Sequence, residues 1–262
     1  MTTRKEAIGL LSSISVSALR SGSRAANAFA ASTVRFAAAL RQNSGPRLAP
    51  GTPMSPERLA LIASFKARSD GISGKFEARV HHGDWAMPYR LFRPVTKAKL
   101  PLVVYLHGSG GLGNDNEKQM GLGNIFGTRV WAMPENQKKF PCYVVAPQTD
   151  RGWVRYGAPA PGDSIAQLVP GLGEGAALVF ELIDSLRKEF AIDERRIYIT
   201  GQSMGGAGVW HLTAQRPKFF AAAVPCCAGV TAEPAASSVA TPMWSFHGSS
   251  DTTVPVQLSR DR

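Results

Sequence analysis

The sequence predicts an α/β protein, with a mostly parallel sheet covered by helices on both faces. Three observations lead there. Apolar runs at 100–108 (LPLVVYLHG) and 142–148 (CYVVAPQ) are continuous, as in strands buried on both sides. An amphipathic stretch at 174–190 stands between the second run and a further strand at 192–201. Strands alternating with helices imply parallel pairing with crossovers. At 262 residues and 44% hydrophobic, the chain has enough apolar material for one sizeable domain plus an extension.

The elements follow in order. Residues 1–50 hold seven Lys/Arg and a single acidic residue. Arg4 and Lys5 precede a modest apolar stretch, and small residues around Ala26–Ala30 offer a cleavage site, so 1–30 has the outline of a leader. If it acts as one, the protein is exported to the periplasm or secreted; otherwise it is cytoplasmic. The alternative is a basic Ala/Ser/Arg-rich extension that stays attached. A linker and short helix occupy 51–70. Ser55 is the N-cap and Pro56 the first helical residue of SPERLALIASFKA. The domain is then expected to occupy 71–262. KFEARVHH and MPYRLFRP alternate as strands around GDWA, which predicts a hairpin. After the strands and helix already named, AGVWHLTAQRP reads as a helix stopped by Pro217. FFAAAVPCC and PMWSFHG (242–248) read as two more strands. Sites in such sheets lie at the carboxyl ends of the strands, which singles out the loops after 107, 148, 201 and 248.

Composition excludes several functions. The net charge is +11, but 51–262 carries 23 basic and 18 acidic residues, so the body is only mildly basic. It has no basic stripe with interleaved aromatics, which argues against nucleic acid as a partner. The three cysteines, Cys142, Cys226 and Cys227, form neither a disulfide framework nor a zinc spacing, and Cys226 and Cys227 read as buried thiols. No metal or cofactor is expected. No apolar stretch is long enough to span a bilayer.

The chemistry centres on ITGQSMGGAGVW (199–210). Ser203 lies between Gly201 and Gly205 where a strand hands over to a helix. So tight a turn needs small residues two before and two after the serine, and it pushes the hydroxyl out above the sheet. It also points the Met204 N–H into the same space, at a helix start. YLHGSGGLGNDN follows the first buried strand, and its glycines let the backbone approach a substrate closely. Ser109, with Gly110 next, would supply the second N–H for a developing oxyanion. The turn lacks the G-K-[ST] ending of a phosphate loop. In SFHGSSDTTVP, Asp251 follows a strand end and is placed to orient a histidine, although an Asp capping a turn looks the same.

FEARV…MPYRLFRP, LPLVVYLHGSGGLGNDN, FPCYVVAPQTDRGWV, IDERRIYITGQSMGGAGVW and MWSFHGSSDTTVP occur in one order across roughly residues 75–258. In them the chain resembles the α/β-hydrolases of the predicted-peptidase branch, related to prolyl-oligopeptidase-like carboxylesterases, feruloyl esterases and polyester depolymerases. The resemblance implies the α/β-hydrolase fold. It also implies Ser203 as nucleophile, Asp251 as the acid, and Ser109, Gly110 and Met204 around the oxyanion. Gln148 and Trp153 would line the acyl or alcohol pocket. The substrate would be a small-molecule or polymer ester, with no cofactor.

The family places its histidine after the acid, but no histidine follows Asp251. The five present are His81, His82, His107, His211 and His247. His211 lies about two helical turns beyond Ser203, ~12 Å along the axis. His107 and His247 match structural positions of the family, and His81 and His82 fall on the hairpin. The expectation is therefore a serine carboxylesterase whose catalytic histidine is not encoded in these residues. Its last strand and helix would also be missing, as in a truncated chain. The alternatives are an acyltransferase and a catalytically dead hydrolase that binds an ester or glycan.

Overall fold

The computed structural model describes residues 54–96, 98–157, 168–230 and 232–260. The basic stretch at 1–50, expected to be a leader or an attached extension, lies outside them. The first described helix, α1 (Pro56–Ser73), begins as the sequence predicts: the Ser55 hydroxyl accepts from Arg58 N–H at 3.3 Å and Pro56 opens the first turn. It runs six residues beyond the expected end. Only its last turns reach the core, through Ser69 and Ile72.

The predicted hairpin is present as β1 (Glu77–His82) and β2 (Ala86–Phe92), paired antiparallel. The buried apolar runs form β3 (Leu100–Leu106) and β4 (Tyr143–Pro147), in which every residue is buried. Between them come two short helices, α2 (Ile125–Arg129) and α3 (Pro134–Lys139). A two-stranded ribbon, β5 (Val154–Tyr156) with β6 (Leu168–Leu172), precedes α4 (Glu174–Glu189). Then follow β7 (Ile192–Gln202), α5 (Met204–Gln215), β8 (Ala222–Cys226) and the short α6 (Ala232–Ser237) and α7 (Gln257–Arg260).

The main sheet has the order β1-β2-β4-β3-β7-β8. β2 meets β4 antiparallel; from β4 to β8 all pairing is parallel. Side chains alternate between the faces, as the period of a strand requires. Leu102, Val104 and Leu106 pack with α4 and α5 on one face, and Val103 and Tyr105 pack with Ile72, Met120 and Met133 on the other. Helical segments thus cover both faces, which is the architecture of the α/β-hydrolases.

The strand expected at 242–248 is reduced to two isolated bridges beside β8, Ala223 to Met243 and Cys226 to Phe246. The reason lies in β8. Ala223 N–H donates to Pro242 O and Trp244 N–H to Ala223 O; Phe246 N–H donates to Pro225 O and Cys227 N–H to Phe246 O. The rung between these pairs would need an N–H on residue 225, which is proline and has none.

β3 and β7 are central neighbours, with Leu106 opposite Gly201 at their carboxyl ends. From β3 the chain steps to β4 on one side; from β4 it crosses back to β7 on the other. The crevice at such a reversal is where open parallel sheets hold their sites.

Candidate active site

Ser203 connects the end of β7 to the first residue of α5. Its backbone has φ 54° and ψ −121°, a region that residues other than glycine rarely adopt. The turn is closed by Ser203 N–H donating to Cys226 O at 2.8 Å and by Ala207 N–H donating to Ser203 O at 3.0 Å. The glycines on either side are sterically required. A Cβ on Gly201 would lie 2.6 Å from Gly205 O and 2.8 Å from Leu106 O. On Gly205 it would lie 2.1 Å from Leu106 O and 2.7 Å from His107 O. Ser203 itself is half-buried, and its hydroxyl has no hydrogen-bond partner among the described residues.

The same contacts bring the loop after β3 against this turn. Gly108 packs so closely that a Cβ there would meet Gln202 O at 3.3 Å. Ser109–Gly111 forms a single 3-10 turn with Gly108 as its N-cap, and Ser109 and Gly110 are exposed. The first amides of a helical turn have no partner within it, so those of Ser109 and Gly110 are free to donate outward. Met204 N–H stands in the same position at the start of the 12-residue α5. The structure therefore places Ser203, Met204, Ser109 and Gly110 on two abutting turns.

Gln148 and Trp153 are placed differently from the expectation. Both are fully buried, so neither lines an open pocket. Trp153 N–H donates to His107 O at 2.9 Å, and its ring packs 4.9 Å from the His107 ring. The Gln148 side chain is bonded into the loop that follows the 3-10 turn. Local sequence carried no sign of either contact, since the partners lie 46 and 37 residues away.

Asp251 lies in the loop beyond the 242–247 segment, which runs beside β8 and so stands two strand positions from β7. Its Oδ1 accepts from Thr253 and Val254 N–H, both at 2.9 Å. Its Oδ2 is 3.5 Å from His247 Nε2. The acid is thus held by a turn of its own loop, as an Asp cap would be, and also faces a histidine.

That histidine is engaged elsewhere. His247 Nε2 donates to Val254 O at 2.7 Å, and Nδ1 bonds the Ser259 hydroxyl at 2.6 Å. His107 is engaged as well. Nδ1–H donates to Gly108 O at 2.8 Å, and Nε2 accepts from Thr149 N–H at 3.2 Å. Those partners fix the neutral tautomer and leave no lone pair for a hydroxyl. His81 and His82 lie on the edge strand β1, with His81 Nε2 3.9 Å from Glu181. His211 is buried in α5. Among the described residues no group of His, Cys, Asp or Glu has the arrangement of a metal site.

Burial pushes the His107 imidazole from 6.5 down to about 4, only partly offset by its bond to Gly108 O. Its stabilisation is complete above the unfolded value and falls as pH drops from about 6.5 toward 4. There the unfolded chain takes up a proton that the folded chain refuses. The expected slope from this group is about 1.4 kcal/mol per pH unit, for a total on the order of 3 kcal/mol. Urea unfolding at pH 7 and pH 4.5 checks it. The His107→Asn variant should be less stable at pH 7 and should lose less on acidification than the wild type.

Comparison with known proteins agrees with this fold. Residues 179–251 match the prolyl oligopeptidase family. That stretch contains Ser203 and ends at Asp251. The crystal structure of a thermostable esterase is 37% identical and superposes with a TM-score of 0.63, covering 72% of this chain and 50% of that one. A poly(3-hydroxyalkanoate) depolymerase C of Paucimonas lemoignei is 31% identical over 140 residues, 50% of this chain and 28% of the relative. A bifunctional acetylxylan esterase/xylanase of Neocallimastix patriciarum is 32% identical over 79 residues, 30% of this chain and 12% of the relative. The chain spans less than a third of the length of either curated relative.

Proposed function

We propose that this chain, an α/β-hydrolase of the carboxylesterase-like kind, attacks carboxylic esters through Ser203. The observation that carries the reading is the Ser203 backbone at φ 54°, a strained turn whose effect is to raise a hydroxyl beside two sets of free amides. Ser203 Oγ adds to the ester carbonyl as its hydroxyl proton passes to water or to added imidazole. The negative oxygen of the tetrahedral intermediate is held by the N–H groups of Met204 and Ser109, with Gly110 adjacent. The alkoxide or phenoxide then leaves, and water releases the acid from the acyl-enzyme. Two of the relatives are named for ester polymers, acetylxylan and poly(3-hydroxyalkanoate), and a small or polymeric ester is the substrate class proposed here.

Asp251 is proposed as the acid of the site. None of the five histidines is proposed as its partner base, because His107 and His247 are bonded elsewhere and the other three lie on β1 and within α5. Without an imidazole at the hydroxyl, these residues acylate slowly: loss of one triad member ordinarily leaves a small residual rate from the oxyanion donors and binding.

This makes a specific expectation. Hydrolysis of p-nitrophenyl acetate by the 262-residue protein is slow, and added imidazole raises it at least tenfold above the effect of imidazole on the ester alone. Replacing Ser203 by alanine removes that increment. Equal imidazole acceleration with and without Ser203 would overturn the reading and favour a binding protein. Release of an acylated alcohol instead of acid, when alcohol is added, would assign an acyltransferase.

A further inference from the structure

The 3-10 turn at Ser109–Gly111 carries the amides assigned to the oxyanion, and Ser109 and Gly110 are exposed. Hydrogen bonds fix the turn at both ends. At the front, Gly108 N–H donates to the buried Asn124 side chain at 2.9 Å and Gly108 O accepts from His107. At the back, Gly111 O accepts from Gln148 Nε2 at 3.1 Å.

Gln148 does more than make this one bond. The same nitrogen donates to Asp115 Oδ1 at 2.9 Å, and Oε1 accepts from Asn116 N–H. The Gln148 main-chain N–H donates to Pro88 O on β2 at 2.8 Å. Asn116 is anchored in turn: its O accepts from Arg90 Nε at 2.6 Å, and its Nδ2 donates to Arg79 O at 3.1 Å. Asn116 also has φ 58°, so the loop bends sharply where Gln148 takes hold. Asp115 Oδ1 additionally accepts from Glu117 and Lys118 N–H at 2.9 and 3.0 Å. One buried amide therefore joins the end of the oxyanion turn to a frame built on β1, β2 and β4.

We propose that Gln148 is a positioning residue: it fixes the Ser109–Gly111 turn, and through it the oxyanion donors opposite Ser203. This rests on the ester-cleaving reading for its effect on rate, but the holding of the turn stands apart from it. A carboxamide is required at this position because the site needs donors toward Gly111 O and the Asp115 carboxylate and an acceptor toward Asn116 N–H. Methionine has the length but neither donors nor a strong acceptor. Glutamate keeps only the acceptor and sets a second carboxylate against Asp115.

The test compares the wild type with Q148M, Q148E, D115N and the double variant D115N/Q148E. In the double variant the amide and carboxylate are exchanged, so the link between the two side chains can form in reverse. Two measurements are made: deuterium uptake of the segment 107–118, with α4 as internal reference, and imidazole-assisted p-nitrophenyl acetate kinetics. Q148M and Q148E are expected to speed exchange in 107–118 at least tenfold while α4 stays unchanged. They should lower kcat about 10- to 100-fold with KM within about twofold, since the lost interaction belongs to the transition state. D115N alone should show a smaller effect, readable even if the buried variants fold poorly. The double variant should recover part of both signals. Wild-type exchange in Q148M, or faster exchange with unchanged kcat, would overturn the proposal. If the wild type itself shows no Ser203-dependent hydrolysis, the functional reading fails, and the exchange data alone decide whether Gln148 holds the turn.

Discussion

Gly205→Ala is expected to lose at least ~3 kcal/mol of folding stability, the upper end of what overpacking costs. The added methyl would lie 2.1 Å from Leu106 O, 2.6 Å from Leu106 C and 2.7 Å from His107 O. All three are backbone atoms of β3 and its loop, so relief requires α5 and β3 to separate. No rotamer change can supply it. Separation also moves the Ser109 turn away from Ser203, so any protein that still folds should have lost Ser203-dependent hydrolysis. Gly71→Ala is the control. A Cβ there meets nothing within 4 Å, and Gly71 sits inside α1. That substitution should be neutral or stabilise by roughly 0.5–1 kcal/mol. Urea midpoints of the two variants check the contrast.

The second large effect separates strain from chemistry at one position. Ser203→Gly should raise stability by about 1 kcal/mol, because glycine accepts φ 54° without steric cost while the unfolded chain gains some freedom. Ser203→Ala keeps the strain and should leave stability within ~0.5 kcal/mol of wild type. Both should remove every trace of hydrolysis that depends on the hydroxyl. A turn under strain that contributes nothing to stability and everything to reactivity is what a built nucleophile predicts. Equal stabilities for serine and glycine would mean the backbone is at ease there.

Much of this arrangement can be read in the sequence because it depends on local rules. Continuous apolar runs become the fully buried β3 and β4. Glycines two residues either side of Ser203 announce a turn in which a Cβ has no room. Other features depend on contacts that local rules do not register. The 242–247 strand has a strand's composition, yet it dissolves into two bridges because a proline on its neighbour, at 225, lacks the donor it needs. Gln148 looks like any polar residue after a strand; its role comes from partners at 111, 115 and 116. Trp153 reads as a pocket aromatic and proves to be a buried brace whose indole holds His107 O. The β5–β6 ribbon and the short helices between β3 and β4 carry too little periodicity to stand out.

The most direct measurement is covalent. The 262-residue chain is incubated with a fluorophosphonate, with imidazole present, and the adduct is located by peptide mapping. One adduct per chain is expected, on Ser203, absent from the Ser203→Ala variant and slowed in Q148M. A folded protein that forms no adduct at Ser203, or carries it on another serine, would contradict the claim that this turn presents a nucleophile.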